Sequence, residues 1–244
     1  FIHCFMIKFE CFWQYIIKNN YKITFSDGSI AESCDEHLWT VKFSDLHKDY
    51  RTYSLKEINE KLEKGYKARV YPISQVDSPE IDLPFDPYLL GLLLGDGAIA
   101  TSHNMISISS ADEEIISSIE NLIGEDYQLS RSSKYDYTII MKNKPSKYLC
   151  RLGVFQNKFT QTLWDMGLCG KQSHEKFVPQ IYFHSSYEQR LALLQGLMDT
   201  DGTVSKIGGT VSYCTTSYIL AKQVQYLIRS IGGIASISEK KTFF

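Results

Sequence analysis

Two copies of one ten-residue element constrain the fold of this chain more than any other feature of its sequence. The first copy, YLLGLLLGDG, runs from Tyr88 to Gly97, and the second, LLQGLMDTDG, runs from Leu193 to Gly202. Each is an apolar helical segment with small residues four positions apart. Such residues share one face of a helix and let two backbones approach closely. We expect the two helices to pack along these faces, which carry Gly91, Gly95, Gly196 and Thr200.

Each copy ends in an aspartate followed by a glycine, the residue best suited to a left-handed helix C-terminus. If the helices pack side by side, Asp96 and Asp201 converge at one end of the pair. Two close carboxylates repel unless a cation lies between them. Hard oxygen ligands suit magnesium, which can activate water and stabilise a leaving oxygen in phosphodiester cleavage. A single Asp-Gly after an apolar helix is usually only a helix stop, so the duplication carries the metal-site hypothesis.

The segments that follow the two copies are also alike. An alternating stretch comes first, and an amphipathic helix follows, which is typical of strand and helix periodicity. The first copy is followed by 105–109 and 113–123, and the second by 210–214 and 218–231. The sequence therefore predicts a duplicated α/β unit. Asp86 and Pro87 predict the start of its first helix, as N-cap and first-turn proline.

The chain before the first copy has a different pattern. Residues 21–25 and 30–32 alternate around a Ser-Asp-Gly turn, which predicts a hairpin. Residues 38–43 and 66–76 are predicted strands, and Ser54 is the predicted N-cap of a short helix ending near Gly65. The stretch 77–84, rich in proline and acidic residues, is the predicted linker between domains.

Charge and composition narrow the class of protein. The chain has 26 Lys+Arg and 28 Asp+Glu, a net charge of −2, so it has no uniformly basic coat. Residues 131–158 nevertheless hold seven Lys/Arg against one acid, a local basic face. Six cysteines without a CxxC pair favour a reduced, intracellular (cytoplasmic) protein. No apolar run approaches the roughly 20 residues of a membrane span, so no membrane is expected.

The two copies resemble the paired motifs of LAGLIDADG homing endonucleases, a class often inserted in inteins. Residues 176–179 (KFVP), with Lys171 before them, resemble the lysine-containing block that precedes the second motif, and 215–221 (TTSYILA) resemble the block that follows it. The resemblance covers residues 85 to 244. It implies an α+β fold with two αββαββα repeats, related by a pseudo-twofold axis, around two central helices in one monomer.

Functional roles follow from the resemblance by motif position. Asp96, Asp201 and Lys176 correspond to catalytic residues, and Mg²⁺ is the implied cofactor. The implied metal site comprises Asp96, Asp201 and the residues before them, Gly95 and Thr200. Lys176 is either the lysine that assists chemistry near the scissile phosphate or a plain surface lysine, and the sequence leaves both readings open.

Double-stranded DNA is the implied partner, and the basic stretch is its predicted contact surface. Alternate residues on one face of a β-ribbon can reach phosphates and base edges. The alternative is a solvated hairpin with no ligand. The residues proposed to contact DNA are Arg131, Lys134, Tyr135, Tyr137, Lys142, Lys144 and Lys147.

The amino-terminal part resembles an intein splicing (Hint) domain. Residues 23–28 followed by 34–39 (CDEHLW) resemble the block built around a Thr-x-x-His, in which the histidine polarises the scissile amide. His37 holds that position as a relic of splicing chemistry, whereas Cys34 replaces the usual threonine. The alternative is a structural histidine. The resemblance implies, as a second partner, a host protein that flanks the intein (the exteins).

These inferences divide the chain into a leader (1–20), a partial all-β Hint domain (21–76), the linker (77–84), a first LAGLIDADG repeat (85–187) and a truncated second repeat (188–244). We expect an internal intein fragment that does not splice, because neither end carries the nucleophile or asparagine that splicing needs. Three rivals stay open: an inactive DNA-binding remnant, an RNA maturase of the same fold, and a purely structural α/β domain.

Overall fold

The computed structural model describes residues 8–12, 20–26, 28–44, 46–71, 74–99, 106–143, 157–206 and 208–241. The chain forms two compact units, residues 1–73 and 74–244. The boundary therefore falls just before the predicted linker, which belongs to the second unit. Across the described residues, no helix is long and apolar enough to span a bilayer.

The first unit contains two three-stranded antiparallel sheets and one helix. The strands are β1 (Lys8–Phe12), β2 (Asn20–Thr24) and β3 (Ile30–Cys34) in the first sheet, and β4 (Leu38–Phe43), β5 (Arg51–Ser54) and β6 (Ala68–Val70) in the second. The predicted hairpin is confirmed as β2–β3. Part of the predicted leader forms β1, which pairs with β2.

Helix α1 (Leu55–Glu63) begins as predicted, because Ser54 and Glu57 form a reciprocal capping box. Its apolar face carries Ile58 to the core around Val41 and Phe43. The strand predicted over 66–76 was too long. Among the described residues, the strand comprises Ala68–Val70, which pairs with β4, and residues 74–76 belong to the second unit, where the Val76 amide donates to the Ser230 carbonyl.

The second unit begins with the predicted αββαββα order. Its elements are α2 (Pro87–Gly95), β7 (Gly97–Ile99), β8 (Ile106–Ser109), α3 (Glu113–Leu122), β9 (Tyr127–Arg131), β10 (Asp136–Met141) and α4 (Lys158–Asp165). The strands form one antiparallel sheet in the order β7-β8-β10-β9. Asp86 caps α2 by accepting from two backbone amides, as predicted.

A partial second copy follows two short 3-10 helices (Ser173–Glu175 and Gln180–His184). It consists of α5 (Tyr187–Asp201), β11 (Gly202–Val204), β12 (Val211–Tyr213) and α6 (Tyr218–Ser230). Strands β11 and β12 form a two-stranded ribbon. In the described residues after α6, 232–241, there is no further helix or strand. The α+β prediction is confirmed by this architecture.

The predicted left-handed turns at the helix ends are wrong. Neither Gly97 nor Gly202 has a positive φ, and Gly202 is extended. Each glycine starts a strand directly after its helix. A Cβ at Gly97 would lie 2.8 Å from the Cα of Leu93, and one at Gly202 would lie 2.6 Å from the Met198 side chain. Glycine is required at both positions because the backbone there lies close to the preceding helical turn. The sequence pattern that marks the end of a helix does not reveal this contact.

The predicted linker is attached to the second unit by hydrogen bonds. Gln189 on α5 accepts from the Ile81 amide at 3.2 Å and donates to the Ile81 carbonyl at 2.7 Å. The Tyr182 hydroxyl makes the same pair of bonds with Phe85. This segment therefore leads to α2 along a fixed path.

Candidate active site

Helices α2 and α5 pack along glycines, and this contact sets the geometry of the site. A Cβ added at Gly91 would lie 2.5 Å from the Leu193 carbonyl oxygen and 2.9 Å from the carbonyl carbon of Gly196. Gly95 faces the side chain of Thr200 in the same way. The four predicted interface residues are thus brought together, and any side chain larger than hydrogen at Gly91 would separate the helices.

The packing brings the carboxyl ends of both helices to one place. Asp96 is the C-cap of α2, and Asp201 is the last residue of α5. Asp96 lies on the surface and Asp201 is half-buried. Desolvation raises the pKa of both carboxyls, and the charge of Asp96 raises the pKa of Asp201 further. The carboxylates of Asp96 and Asp201 therefore form an electronegative position with an excess of negative charge.

Lys176 is a buried residue, so the surface-lysine alternative is wrong. Its side chain is 6% exposed. Its ammonium lies at the end of α2 and donates to carbonyl oxygens of Gly95 (2.7 Å), Gly97 (2.8 Å) and Leu93 (3.5 Å). Burial lowers the pKa of Lys176, while Asp201 and Asp96 oppose that shift. The lysine thus caps α2 and places a positive charge beside both acids.

The polar groups of Gly95 and Thr200, the residues before the two acids, are already hydrogen-bonded within the protein. The Gly95 carbonyl accepts from Lys176, which uses one of its two lone pairs. The Thr200 hydroxyl donates within its own helix, to carbonyls of Leu197 and Gly196. Within the described ranges, no group of three or more His, Cys, Asp or Glu side chains could hold a metal ion. The assignment of a metal to these four residues stays a prediction that rests on the two carboxylates.

The start of the basic stretch lies on the β9–β10 hairpin, whose turn falls at 132–135 and not at the predicted 142–145, and whose register divides the proposed DNA-contacting residues. Arg131 pairs with Tyr137 across β9 and β10, on the face that carries Leu129 and Ile139 to the core. Arg131 also donates to carbonyls of Ser133 and Lys134 in the turn.

The other predicted DNA contacts that the structure describes lie at the ends of the hairpin. Lys134 and Tyr135 are exposed in the turn, where the Lys134 ammonium lies 4.7 Å from the Tyr135 ring centroid. Lys142 is exposed just after β10. Lys144 and Lys147 are outside the described residues.

The opposite face of this sheet is polar and was missed by the sequence reasoning. Cross-strand neighbours on this face are Ala98 with Ser107, Ser107 with Thr138, Thr138 with Ser130, and Ile140 with Gln128. The second copy has the same feature, because Thr203 and Ser212 pair across β11 and β12 with their hydroxyls 2.8 Å apart. The alternation on these strands was the available signal, but it needed the register to assign faces.

In the first unit, His37 is exposed just before β4. Its ring contacts Trp39 edge-on, with centroids 5.6 Å apart. Its carbonyl accepts from the Leu55 amide, and its amide donates to Cys34. The structure thus places the histidine in a turn accessible to a ligand.

Comparison with known proteins bears on both units. A family model described as a LAGLIDADG-like domain matches residues 188–243, the second copy. The chain is 27% identical over 243 residues to a replicative DNA helicase DnaB of Mycobacterium intracellulare, covering 91% of this chain and 36% of the relative. It is 30% identical over 173 residues to the DnaB of a Synechocystis strain, covering 62% of this chain and 18% of that protein.

A further relative has a different name. The chain is 23% identical over 179 residues to a glutamine–fructose-6-phosphate aminotransferase of Methanocaldococcus jannaschii, of which it covers 15%. The chain therefore spans about a third, or less than a fifth, of the length of these relatives.

Proposed function

We propose that the second unit is a LAGLIDADG-type homing endonuclease domain that makes site-specific double-strand cuts in DNA by magnesium-dependent hydrolysis. The observation that carries the proposal is the convergence of Asp96 and Asp201 at the shared end of two glycine-packed helices. The family match covers only the second copy, and the internal repeat extends the argument to the first.

The two carboxylates fit a divalent cation. Both are partly desolvated, and they share one ammonium between two negative charges. Carboxylate oxygens are the ligands that Mg²⁺ prefers, and when bound it would supply an activated water and stabilise the leaving oxygen. Asp96 and Asp201 would hold it. Gly95 and Thr200 are the adjoining residues whose packing fixes the separation of the two acids.

Lys176 would act as a fixed positive charge. Its three carbonyl contacts orient the ammonium group and leave it little freedom to move toward a substrate. A charge held there favours an anionic phosphate at the acid pair, since such preorganised groups act without reorganising. Proton transfer by Lys176 is not required.

The DNA would lie against the open faces of the sheets. Gln128, Ser130 and Thr138 present hydroxyl and amide groups that can read base edges, while Lys134 and Lys142 lie at the hairpin ends, where phosphates pass. This arrangement modifies the sequence-based assignment, because Arg131 and Tyr137 lie on the other face of the sheet, where Arg131 donates to carbonyls of the turn. The second ribbon offers Thr203 and Ser212 for the other half of the site.

The first unit would belong to an intein splicing domain. Segments similar to this chain make up a minor part of a helicase and of an aminotransferase, two proteins whose names share no activity. A mobile insert would produce this distribution. In this reading His37 is the splicing histidine, and the host protein's flanking sequences are its partners.

The test is magnesium-dependent cleavage of a randomised DNA library by the purified chain, with Asp96→Asn assayed beside it. Specific double-strand cuts that need Mg²⁺ and disappear in the variant are the expected result. Salt-sensitive binding of DNA without any cut would instead identify the DNA-binding remnant. Binding to structured RNA and not to DNA would favour the maturase.

A further inference from the structure

The chain around Lys176 is held in place by side chains of α6. Residues 176–179 lie between the two 3-10 helices and belong to no helix or strand. Ser217, the N-cap of α6, donates its hydroxyl to the Lys176 carbonyl at 2.7 Å. Gln223 accepts from the Val178 amide at 2.7 Å and donates to the Val178 carbonyl at 3.0 Å. Because buried backbone groups need such partners, α6 fixes the path of the chain at the lysine.

The Ser217 hydroxyl makes two hydrogen bonds, and each has a separate purpose. The side chain is 1% exposed. Its oxygen accepts from the Leu220 amide at 3.2 Å, which caps α6, while its proton is donated to the Lys176 carbonyl. Aspartate caps a helix as well as serine does, but a carboxylate has no proton to donate. A hydroxyl is therefore the group that serves both the cap and the lysine backbone.

The internal repeat separates these two purposes. The helix of the first copy that corresponds to α6 is α3, and its N-cap is Asp112. The Asp112 carboxylate accepts from the Glu114 amide at 2.8 Å, and the residue is exposed. Capping alone thus needs only an acceptor. The additional donor is found in the copy whose helix contacts Lys176.

The other end of the lysine lies at the acid of the first copy. Its ammonium donates to the carbonyls of Gly95 and Gly97, the residues on either side of Asp96. Lys176 therefore bridges α6, through its backbone, and the end of α2, through its ammonium. Because the four-carbon stem of a lysine is flexible, the position of the ammonium depends on fixing the backbone as well.

We propose that Ser217 is a positioning residue of the active site, whose hydroxyl fixes the backbone of Lys176 so that the ammonium is held at Asp96. The inference rests on the proposed nuclease function, in which this ammonium favours the anionic phosphate. The same stretch of chain also holds the second acid, because the Cys214 amide donates to the Asp201 carbonyl at 3.2 Å. The start of α6 thus sets the lysine and one acid in a common frame.

Ser217→Ala removes the hydroxyl, and Asp112→Ala is the matched control. Both variants lose the N-cap of a corresponding helix, so both should unfold at a lower temperature than the wild type. At a temperature below both transitions, only Ser217→Ala should slow single-turnover cleavage of the selected target at saturating DNA. We expect a fall of about tenfold or more, with the affinity for DNA unchanged. Ser217→Thr keeps a hydroxyl and an N-cap and should restore cleavage.

A second readout does not depend on cutting. When lysine is labelled with nitrogen-15, an ammonium held by carbonyls exchanges its protons slowly with water and is detected by NMR. The signal of Lys176 is assigned by its absence in Lys176→Met. We expect slow exchange in the wild type, Asp112→Ala and Ser217→Thr, and exchange at least about tenfold faster in Ser217→Ala.

The two readouts separate this inference from the proposed function. If the wild type does not cut DNA, the nuclease proposal fails, and the exchange rate of the ammonium protons alone decides whether Ser217 positions Lys176. Exchange in Ser217→Ala at the wild-type rate would overturn the inference. Equal slowing of cleavage by Ser217→Ala and Asp112→Ala would also overturn it, because the loss would then follow from a missing N-cap alone.

Discussion

Charge balance is the main feature of the site at the scale of single residues. Asp96 and Asp201 both ionise against a desolvation penalty, and Lys176 supplies the only nearby cation among the described side chains that act on them. Its ammonium is held by carbonyls and not by a carboxylate, so it serves both acids at once. This arrangement favours an additional cation and suggests separate experiments on the acids and on the lysine.

Asp201→Asn should stabilise the protein while removing cleavage. Desolvation raises the folded-state pKa of Asp201 above its ordinary value of 3.8, so the ionised carboxylate weakens folding at neutral pH. An amide removes that penalty, and the unfolding temperature without divalent ions should rise. The gain should shrink as the pH falls toward 3.8, because the native carboxyl becomes neutral above that pH. Because the proposed function makes Asp201 a ligand of the metal, cleavage should fall by about a hundredfold or more.

Thermal unfolding at several pH values, with and without Mg²⁺, measures this effect. Asp126→Asn, on an exposed turn, is the control and should change neither property. A destabilised Asp201→Asn at neutral pH would show that the carboxylate has a stabilising partner in the native state and would contradict the electrostatic account.

Lys176→Met should destabilise the protein, because it leaves the carbonyls at the end of α2 without their donor. Methionine is similar in length, so packing is largely kept. Hydrogen bonds to charged groups contribute about 1.5 to 3 kcal/mol, and we expect a loss of about 2 kcal/mol in the free energy of unfolding, measured by urea titration. Lys158→Met, at an exposed position on α4, should change stability by less than about 0.5 kcal/mol. Equal effects of the two substitutions would mean that the capping contacts contribute little.

At the scale of elements, two parallel helices with glycines at their contact form the frame of the site. Because glycine has no side chain, α2 and α5 approach to direct backbone contact. The glycine positions therefore set the separation of Asp96 and Asp201. Tyr88 on α2 also donates to Asp199 on α5 at 2.7 Å, and burial, followed by that bond, raises the pKa of Tyr88 to about 12. The pair is thus tied outside the glycine stripe as well.

Gly91→Ala should separate α2 from α5 and reduce cleavage. The added methyl would lie 2.5 Å from a backbone oxygen, which cannot move without the whole helix. Overpacking of this kind costs about 1 to 3 kcal/mol, partly offset by about 1 kcal/mol from the better helix propensity of alanine. We expect a net loss of up to about 2 kcal/mol in chemical denaturation and a fall in cleavage larger than stability alone explains.

Gly124→Ala is the matched control for that experiment. Gly124 has nothing within 4 Å of an added Cβ but a φ of +87°, so alanine there is strained without being crowded. It should cost about 1 kcal/mol and leave the cleavage rate intact. A similar loss of cleavage in Gly91→Ala and Gly124→Ala would show that the contact between α2 and α5 does not determine the geometry of the site.

At the scale of the whole molecule, the two units have separate hydrophobic cores. The first is built around Val41, Phe43, Ile58 and Ala68, and the second around the leucines of α2 and α5, with no described residue in both. The division matches the change in sequence pattern near residue 76. In the sequence, the duplicated motif predicts the second unit, and the hairpin and capping signals predict the first.

The sequence predicted elements better than faces or distances. Local sequence patterns are enough to predict the capping box at Ser54, the Asp86 cap and the order of helices and strands. The side of the sheet on which Arg131 and Tyr137 lie, and the burial of Lys176, depend on strand register and on contacts between segments distant in the chain.

Separate cores imply that a lesion in the first unit should leave DNA cleavage unaffected. Ile58 is 1% exposed on α1, and Ile58→Ala should cost the first unit about 3 kcal/mol through lost burial and a cavity. Differential scanning calorimetry should show one transition lowered and the other unchanged, with the wild-type cleavage rate at a temperature below both. Leu163→Ala, at a fully buried position on α4, is the reciprocal variant and should lower the other transition. A single shared transition that both substitutions shift equally would mean that the units unfold together, and the first unit would then be required for the stability of the second.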